Sequence, residues 1–247
     1  MDPTERLRAW GAEPTGAPWR TTSSDLVAGV LDGEPVLLKV ARVEEEQRGN
    51  RQMGWWSGHG GLPVLASDDD AILMRRAGRS LLDLPVEAAD EVLADVALAL
   101  HAVPEPPFPL VPLQRWFRDL LDRPQADPLL DRAASVARDL LRAPGPSVVL
   151  HGDLHHGNVL ELDGRWVAID PKGLTGHPAF DVANAFCNPT EEAASARVEA
   201  RLDLFADRLG LDQDLLARWV LAWCGLSLCW GSEGWHARAA RATASIL

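Results

Sequence analysis

Residues 147–173, SVVLHGDLHHGNVLELDGRWVAIDPKG, limit what this chain can fold into more than any other part of it. An apolar, β-branched run enters a polar loop, HGDLHH, and an alternating run, NVLEL, leaves it. Asp163-Gly164 then supplies a strong two-residue hairpin signal, and RWVAID returns as a second strand that ends in an acid. A hairpin closed at that turn lays the start of its first strand beside the end of its second. Asp153 and Asn158 are therefore expected next to Asp170.

Two aspartates and an asparagine at one end of a strand pair suit a particular chemistry. A hard divalent cation such as magnesium takes oxygen ligands from one or two side chains and fills its shell with water and phosphate oxygens. Asn158 and Asp170 fit that role. Asp153 precedes Asn158 by five residues, the interval between the base and the metal-binding asparagine in the H-R-D-x-x-x-x-N loop of protein kinases. Asp153 is thus the candidate to accept the proton of an attacking hydroxyl. The histidines admit a second reading, as zinc ligands, since His151 and His155 stand at i, i+4 with His156 beside them. That spacing is useful on a helix, whereas Gly152 and Gly157 argue for a loop, so His151 and His155 are read as residues that hold the loop by hydrogen bonds.

The rest of the chain divides into two textures. From about Thr21 to Met74 the signals are strand-like: SSDLVAGVL, a turn at Asp32-Gly33, EPVLLKVA, a polar helical stretch EEEQRGNRQMGWW, and AILMRRAG. After Gly78 the pattern is helical, with Ala89, Val92, Leu93, Val96, Ala97 and Leu100 at helical spacing. A proline-rich stretch, 104–112, interrupts it; Trp116, Phe117, Leu120 and Leu121 mark a further amphipathic helix, and others are expected over 128–142, 191–209 and 212–230. With 247 residues, 47% of them hydrophobic, such a chain buries a substantial core. Its most apolar run, Val220 to Trp230, is too short for the roughly 20 residues that cross a bilayer and reads as a buried helix. The net charge of -12 repels a phosphate backbone, which argues against nucleic acid as a partner, and favours cationic small molecules. Three cysteines without CxxC spacing, and an N-terminus without an apolar signal segment, point to a reducing cytosol with no disulfide. Ten tryptophans and no tyrosine have no physical account at this level.

HGDLHHGN followed by AIDPKG resembles the signature of the aminoglycoside phosphotransferase family, and IDPKGLTGHPAFDVAN is similar to its streptomycin 6-phosphotransferase and hydroxyurea phosphotransferase branch. The resemblance implies a bilobal, protein-kinase-like α+β fold, with a small antiparallel-sheet lobe over residues 1–75 and a larger, mainly helical lobe over 76–247. It implies transfer of the γ-phosphate of ATP (or GTP), with magnesium, to a hydroxyl of a small molecule, most of all an aminoglycoside such as streptomycin. Lys39 would contact the phosphates and pair with a helix glutamate, Glu46 by preference, with Glu44 and Glu45 left open. Met74 would sit behind the adenine, with the backbone of Arg75 and Ala77 on its edge, and His151 and Asp181 would brace the site. Glu191, Glu192 and Glu233 are candidate contacts to a cationic acceptor. Two features depart from the kinase pattern: no glycine-rich loop covers the phosphates, and Pro171-Lys172-Gly173 follows the metal aspartate, which leaves Lys172 without an assigned role. The alternatives are a kinase of another metabolite alcohol and a nucleotide-binding pseudokinase. Oligomeric state is not legible in the sequence.

Overall fold

The computed structural model describes residues 2–122, 127–232 and 234–247. Helix α1 (Pro3–Ala9), capped by the Asp2 carboxylate, leads into β1 (Glu13–Pro14), β2 (Trp19–Arg20), β3 (Ser24–Leu31) and β4 (Glu34–Ala41). Helix α2 (Glu44–Trp56) follows, then β5 (Val64–Ser67) and β6 (Ala71–Arg75). These strands form one antiparallel sheet in the order β1-β3-β4-β6-β5, with β2 also paired to β3, at residues 25 and 26.

The β3–β4 turn places both Asp32 (φ 53°) and Gly33 (φ 87°) in the left-handed region, the conformation whose twist matches a two-residue hairpin. That turn fixes the register, which sets Lys39 between Leu26 and Ile72. Alternation then sorts the two faces of β4. Val36 and Leu38 pack with Leu7, Val27 and Leu73 under α1, while Leu37 and Lys39 face a cavity on the other side.

Beyond β6 the chain is mainly helical. A single 3-10 turn (Leu81–Asp83) precedes α3 (Val86–His101), whose Ala89, Leu93, Val96, Ala97 and Leu100 are buried as the periodicity required. The helix expected around Trp116 is instead two single turns, separated from α3 by β7 (Val111–Pro112): α4 (Leu113–Trp116) and α5 (Arg118–Leu121) break at Phe117. Phe117 is fully buried against Phe180 and Trp219, at ring-centroid distances of 5.7 and 6.3 Å. Next come α6 (Pro128–Arg142), β8 (Val148–Leu150), β9 (Val159–Leu162), β10 (Arg165–Ala168) and β11 (Leu174–Gly176). β9 and β10 form the hairpin, with Val159 opposite Ala168, and β11 lies between β7 and β8.

The chain ends with α7 (Ala179–Ala183), α8 (Glu191–Ala196), α9 (Val198–Leu209), α10 (Gln213–Cys229) and α11 (Trp235–Ile246). The helix expected over 191–209 is broken at Arg197, which leaves helical geometry and sends its guanidinium to Glu87 and Asp90. α10 is buried on nearly every side, as its apolar run anticipated. Among the described residues, no helix is long and apolar enough to cross a membrane.

Candidate active site

The loop between β8 and β9 is held from three directions. Asp181, buried in α7, accepts the backbone amides of His151 and Gly152, one on each carboxylate oxygen at 2.8 Å. His101, at the end of α3, bonds the same carboxylate at 2.9 Å. His151 donates from Nε2 to the Ile169 carbonyl (2.8 Å) and accepts the Asp153 amide on Nδ1 (3.2 Å). Full burial pushes the His151 pKa down to about 4, so the ring is neutral at pH 7, as this pattern needs.

The other two histidines point elsewhere. His155 accepts the Gly157 amide on Nδ1 at 3.1 Å, and His156 is bound through Nε2 to the buried Asp90 at 2.9 Å. The three rings are thus turned to three different partners, not to one common point. Asp90 also receives Arg197 and Arg201, the latter fully buried. Burial alone would raise the Asp90 pKa; the bonds from His156 and Arg201 outweigh it and hold the carboxyl below its usual range.

This bracing aims the Asp153 carboxylate into the cleft. One oxygen accepts Asn184 Nδ2 at 2.8 Å and the other accepts Asn158 Nδ2 at 3.3 Å. Asn158 Nδ2 also donates to the Asp153 backbone carbonyl (2.9 Å), which turns the asparagine oxygen the opposite way. The Asp153 pKa is pushed up to about 6, mainly by desolvation; neighbouring Asp170 raises it too, while Lys172 and the two amides lower it.

Across the cleft, Lys39 forms ion pairs with Glu46 and with Asp170 Oδ1, the latter at 3.0 Å. The three neighbouring glutamates separate here: Glu44 pairs with Arg48 at 3.0 Å, Glu45 with Lys172 at 3.4 Å, and Glu46 with Lys39. Burial would raise the Glu46 pKa, but Lys39 and Lys172 together lower it. Asp170 follows β10 with φ 61°, a strained value for a residue with a side chain. It is bracketed by Ile169 N donating to Asn158 O (2.9 Å) and Lys172 N donating to His151 O (2.7 Å).

Two cavities meet at these residues. One, of about 460 Å3, lies between the sheet and the hairpin; Lys39, Met74, Arg75, Ala77, Asn158 and Asp170 line it. The other, of about 570 Å3, opens toward the helices against Trp116, Trp223 and Trp230. Asp153 borders both. Neither Glu191 nor Glu192 is among the residues that line them; Glu191 is ion-paired with Arg238 at 2.5 Å and Glu192 is exposed. Glu233 lies outside the described residues. Asn184 and Asp90 join the site with no local sequence signal, and His101, whose sequence context is that of a helix-end histidine, joins it through Asp181. Part of the tryptophan excess now has a place, as one wall of the second cavity.

A family model described as "Aminoglycoside/hydroxyurea antibiotic resistance kinase" matches residues 9–234. The chain is 42% identical over 226 residues to a streptomycin 3''-kinase of Klebsiella pneumoniae, covering 85% of each. It is 33% identical to a streptomycin 6-kinase of Streptomyces griseus, covering 87% of this chain and 77% of that one. It is 30% identical to a hydroxyurea phosphotransferase of Kitasatospora aureofaciens, covering 93% and 72%. Among solved structures, an aminoglycoside phosphotransferase in ternary complex with ADP and hygromycin B superposes with a TM-score of 0.67 at 18% identity, covering 99% of this chain and 97% of that chain. A choline kinase of Streptococcus pneumoniae gives the same TM-score, 0.67, at 15% identity, covering 98% and 97%.

Proposed function

Because the chain belongs to the family of aminoglycoside/hydroxyurea antibiotic resistance kinases, we propose that it transfers the γ-phosphate of ATP to streptomycin, at the 3''-hydroxyl. The observation that carries this reading is Asp153, a carboxylate with a raised pKa that two amides orient at the junction of two cavities. A base poised near the working pH, within reach of a phosphate donor on one side and a hydroxyl donor on the other, is what proton removal during phosphoryl transfer requires. The 3'' position is favoured over the 6 position by the margin of identity, 42% against 33%.

In this reading the smaller, sheet-lined cavity takes the nucleotide. Met74 packs behind the base, and because the Arg75 amide is already given to Pro63 O at 3.3 Å, the Ala77 amide is the donor left for the base edge. Lys39, positioned by Glu46, steadies the phosphates. Asn158 and Asp170 suit magnesium: both offer hard oxygens to the same cavity, and the asparagine oxygen faces away from Asp153. Bound there, the ion would neutralise phosphate charge. Asp153 accepts the hydroxyl proton of the acceptor. Such catalysis is positioning and charge neutralisation, carried out by groups already in place. This reading places the reaction in the cytosol, with a small-molecule acceptor as the partner.

One observation keeps a second acceptor class in view. The larger cavity is not acidic: Glu45, Asp119 and Asp153 stand against Arg48, Arg115, Arg118 and Lys172. The acid surplus expected to read a polycation lies elsewhere on the molecule, so aromatic faces carry more of the recognition of guanidinium or sugar groups. A pseudokinase is disfavoured by the joint presence of Lys39, Asp153, Asn158 and Asp170 in one cleft. Magnesium-dependent ATP turnover with a panel of streptomycin, other aminoglycosides, hydroxyurea, choline and sugars tests the reading. Streptomycin should give the highest kcat/KM; a preference for choline or a sugar would replace the acceptor, and nucleotide binding without turnover would replace the enzyme.

A further inference from the structure

We propose that Lys172 is a catalytic residue whose ammonium leaves Glu45 and Glu46 to hold the γ-phosphate as that group crosses from nucleotide to acceptor, an inference that rests on the kinase reading above. Of the described residues that line the two cavities, Asp153 and Lys172 alone border both. The other cations are confined to one side: Lys39, Arg75 and Arg76 to the nucleotide cavity, Arg48, Arg115 and Arg118 to the acceptor cavity. A phosphoryl group in transit passes the boundary, so the boundary residues are the ones that meet it. One is the base; the other is a cation.

The backbone of Lys172 is fixed, and its side chain reaches the boundary between the cavities. Its amide donates to His151 O at 2.7 Å, and the next amide, Gly173 N, donates to Gln52 Oε1 at 2.7 Å. Gln52 is tied in turn to Leu150 O at 2.8 Å. Four methylenes then carry Nζ to 3.2 Å from Glu46 Oε1 and 3.4 Å from Glu45 Oε1. Glu46 already has Lys39 as its partner, and the Glu45 side chain is 39% exposed, the kind of pair that contributes little. The histidines of the catalytic loop are turned to Ile169, Gly157 and Asp90.

The step balances without a new covalent partner. The bond between the γ-phosphorus and the β,γ-bridging oxygen breaks, and the electron pair leaves with ADP. The acceptor oxygen forms its bond to phosphorus, and its proton goes to the Asp153 carboxylate. Lys172 makes and breaks no covalent bond; it neutralises the charge on the equatorial oxygens while the group belongs to neither side.

The test compares wild type, Lys172→Met and Lys172→Arg, measuring calorimetric affinity for ADP and for a β,γ-imido ATP analogue with magnesium, and kcat with streptomycin. Lys172→Met should keep ADP affinity within about twofold, bind the analogue more weakly, and lose about 10²-fold or more in kcat, the effect of removing one preorganised charge donor. Lys172→Arg should recover part of kcat and of the analogue affinity. Near-normal kcat in Lys172→Met, or equal weakening of ADP and analogue, would overturn the proposal, the second result assigning Lys172 to holding Glu46 instead. Should Lys172→Met not fold, the Arg variant and Lys172→Gln carry the same comparison. Absence of streptomycin turnover by wild type would refute the acceptor reading, yet the ADP-against-analogue difference would still decide Lys172.

Discussion

Asp153 must stay ionised beside a second carboxylate, Asp170, inside a cleft that strips it of water. Desolvation is the larger effect, and it raises the pKa to about 6 against the pull of Lys172 and two amide hydrogen bonds. A base works only when deprotonated, so kcat/KM should be full above this value and fall about tenfold per pH unit below it. A pH profile of kcat/KM that stays flat down to pH 4 would contradict the assignment. Asp153→Asn keeps the shape, removes the proton acceptor, and should lower kcat by about 10²-fold or more while MgATP binding survives. Asp170→Asn removes a charged oxygen and should weaken magnesium-dependent nucleotide binding as well. Calorimetry of MgATP with the two variants separates the roles; the reverse pattern would exchange them.

Helix α2 shows how an element can set a site. A Cβ at Gly49 would run into the carbonyl oxygen of Pro171, so the glycine lets the helix close on the loop that carries Asp170 and Lys172, whereas at Gly54 nothing lies within 4 Å. Glycine to alanine gains about 1 kcal/mol of helix propensity where space allows. Gly54→Ala should therefore raise the melting temperature, and Gly49→Ala should lower it and reduce activity, because a backbone must move to admit the methyl. Thermal melts of the pair decide this; a stabilised, fully active Gly49→Ala would show the packing to be looser than described. Between α3 and α9, Arg201 is buried against Asp90. Arg201→Met should cost about 1.5–3 kcal/mol, since it removes one partner of a buried carboxylate that keeps Arg197 and His156. The depressed Asp90 pKa has a sign: its contribution to stability is present above the ordinary carboxylate range and is lost as pH falls through the lower folded value. Denaturant titrations at neutral and acidic pH should show Arg201→Met losing most of its deficit at the acidic end.

These elements also mark what could be read in advance. The hairpins were legible because Asp-Gly turns and alternation are local signals, as were α3 and α10 from their apolar spacing. Asp153, Asn158 and Asp170 could be grouped because a single hairpin joins them. Asn184, His101, Asp90 and the three tryptophans of the larger cavity reach the site only through tertiary packing of α3, α4, α7 and α10, and no local pattern announces such meetings. The break at Phe117 was hidden for a like reason: burial against Phe180 and Trp219 decides it, not propensity.

At the scale of the molecule, a net charge of -12 surrounds an acceptor cavity whose own charges nearly cancel. A cationic acceptor should thus be drawn in by the overall field, whose reach shrinks to about 8 Å at physiological ionic strength. The KM for streptomycin should rise severalfold with added salt while kcat changes little; a KM independent of salt would leave recognition to the tryptophans alone. The proposed reaction is transfer of a phosphoryl group from ATP to streptomycin, with Asp153, at the meeting of two cavities, accepting the hydroxyl proton. Its most direct test is to incubate purified wild type and Asp153→Asn with MgATP and streptomycin and to quantify ADP, inorganic phosphate and phosphorylated streptomycin by mass spectrometry. Wild type should form ADP and streptomycin monophosphate in equal amounts, with the phosphate located at the 3''-hydroxyl by nuclear magnetic resonance, and the variant almost none. Unmodified streptomycin beside intact ATP, or ADP matched only by inorganic phosphate, would contradict it.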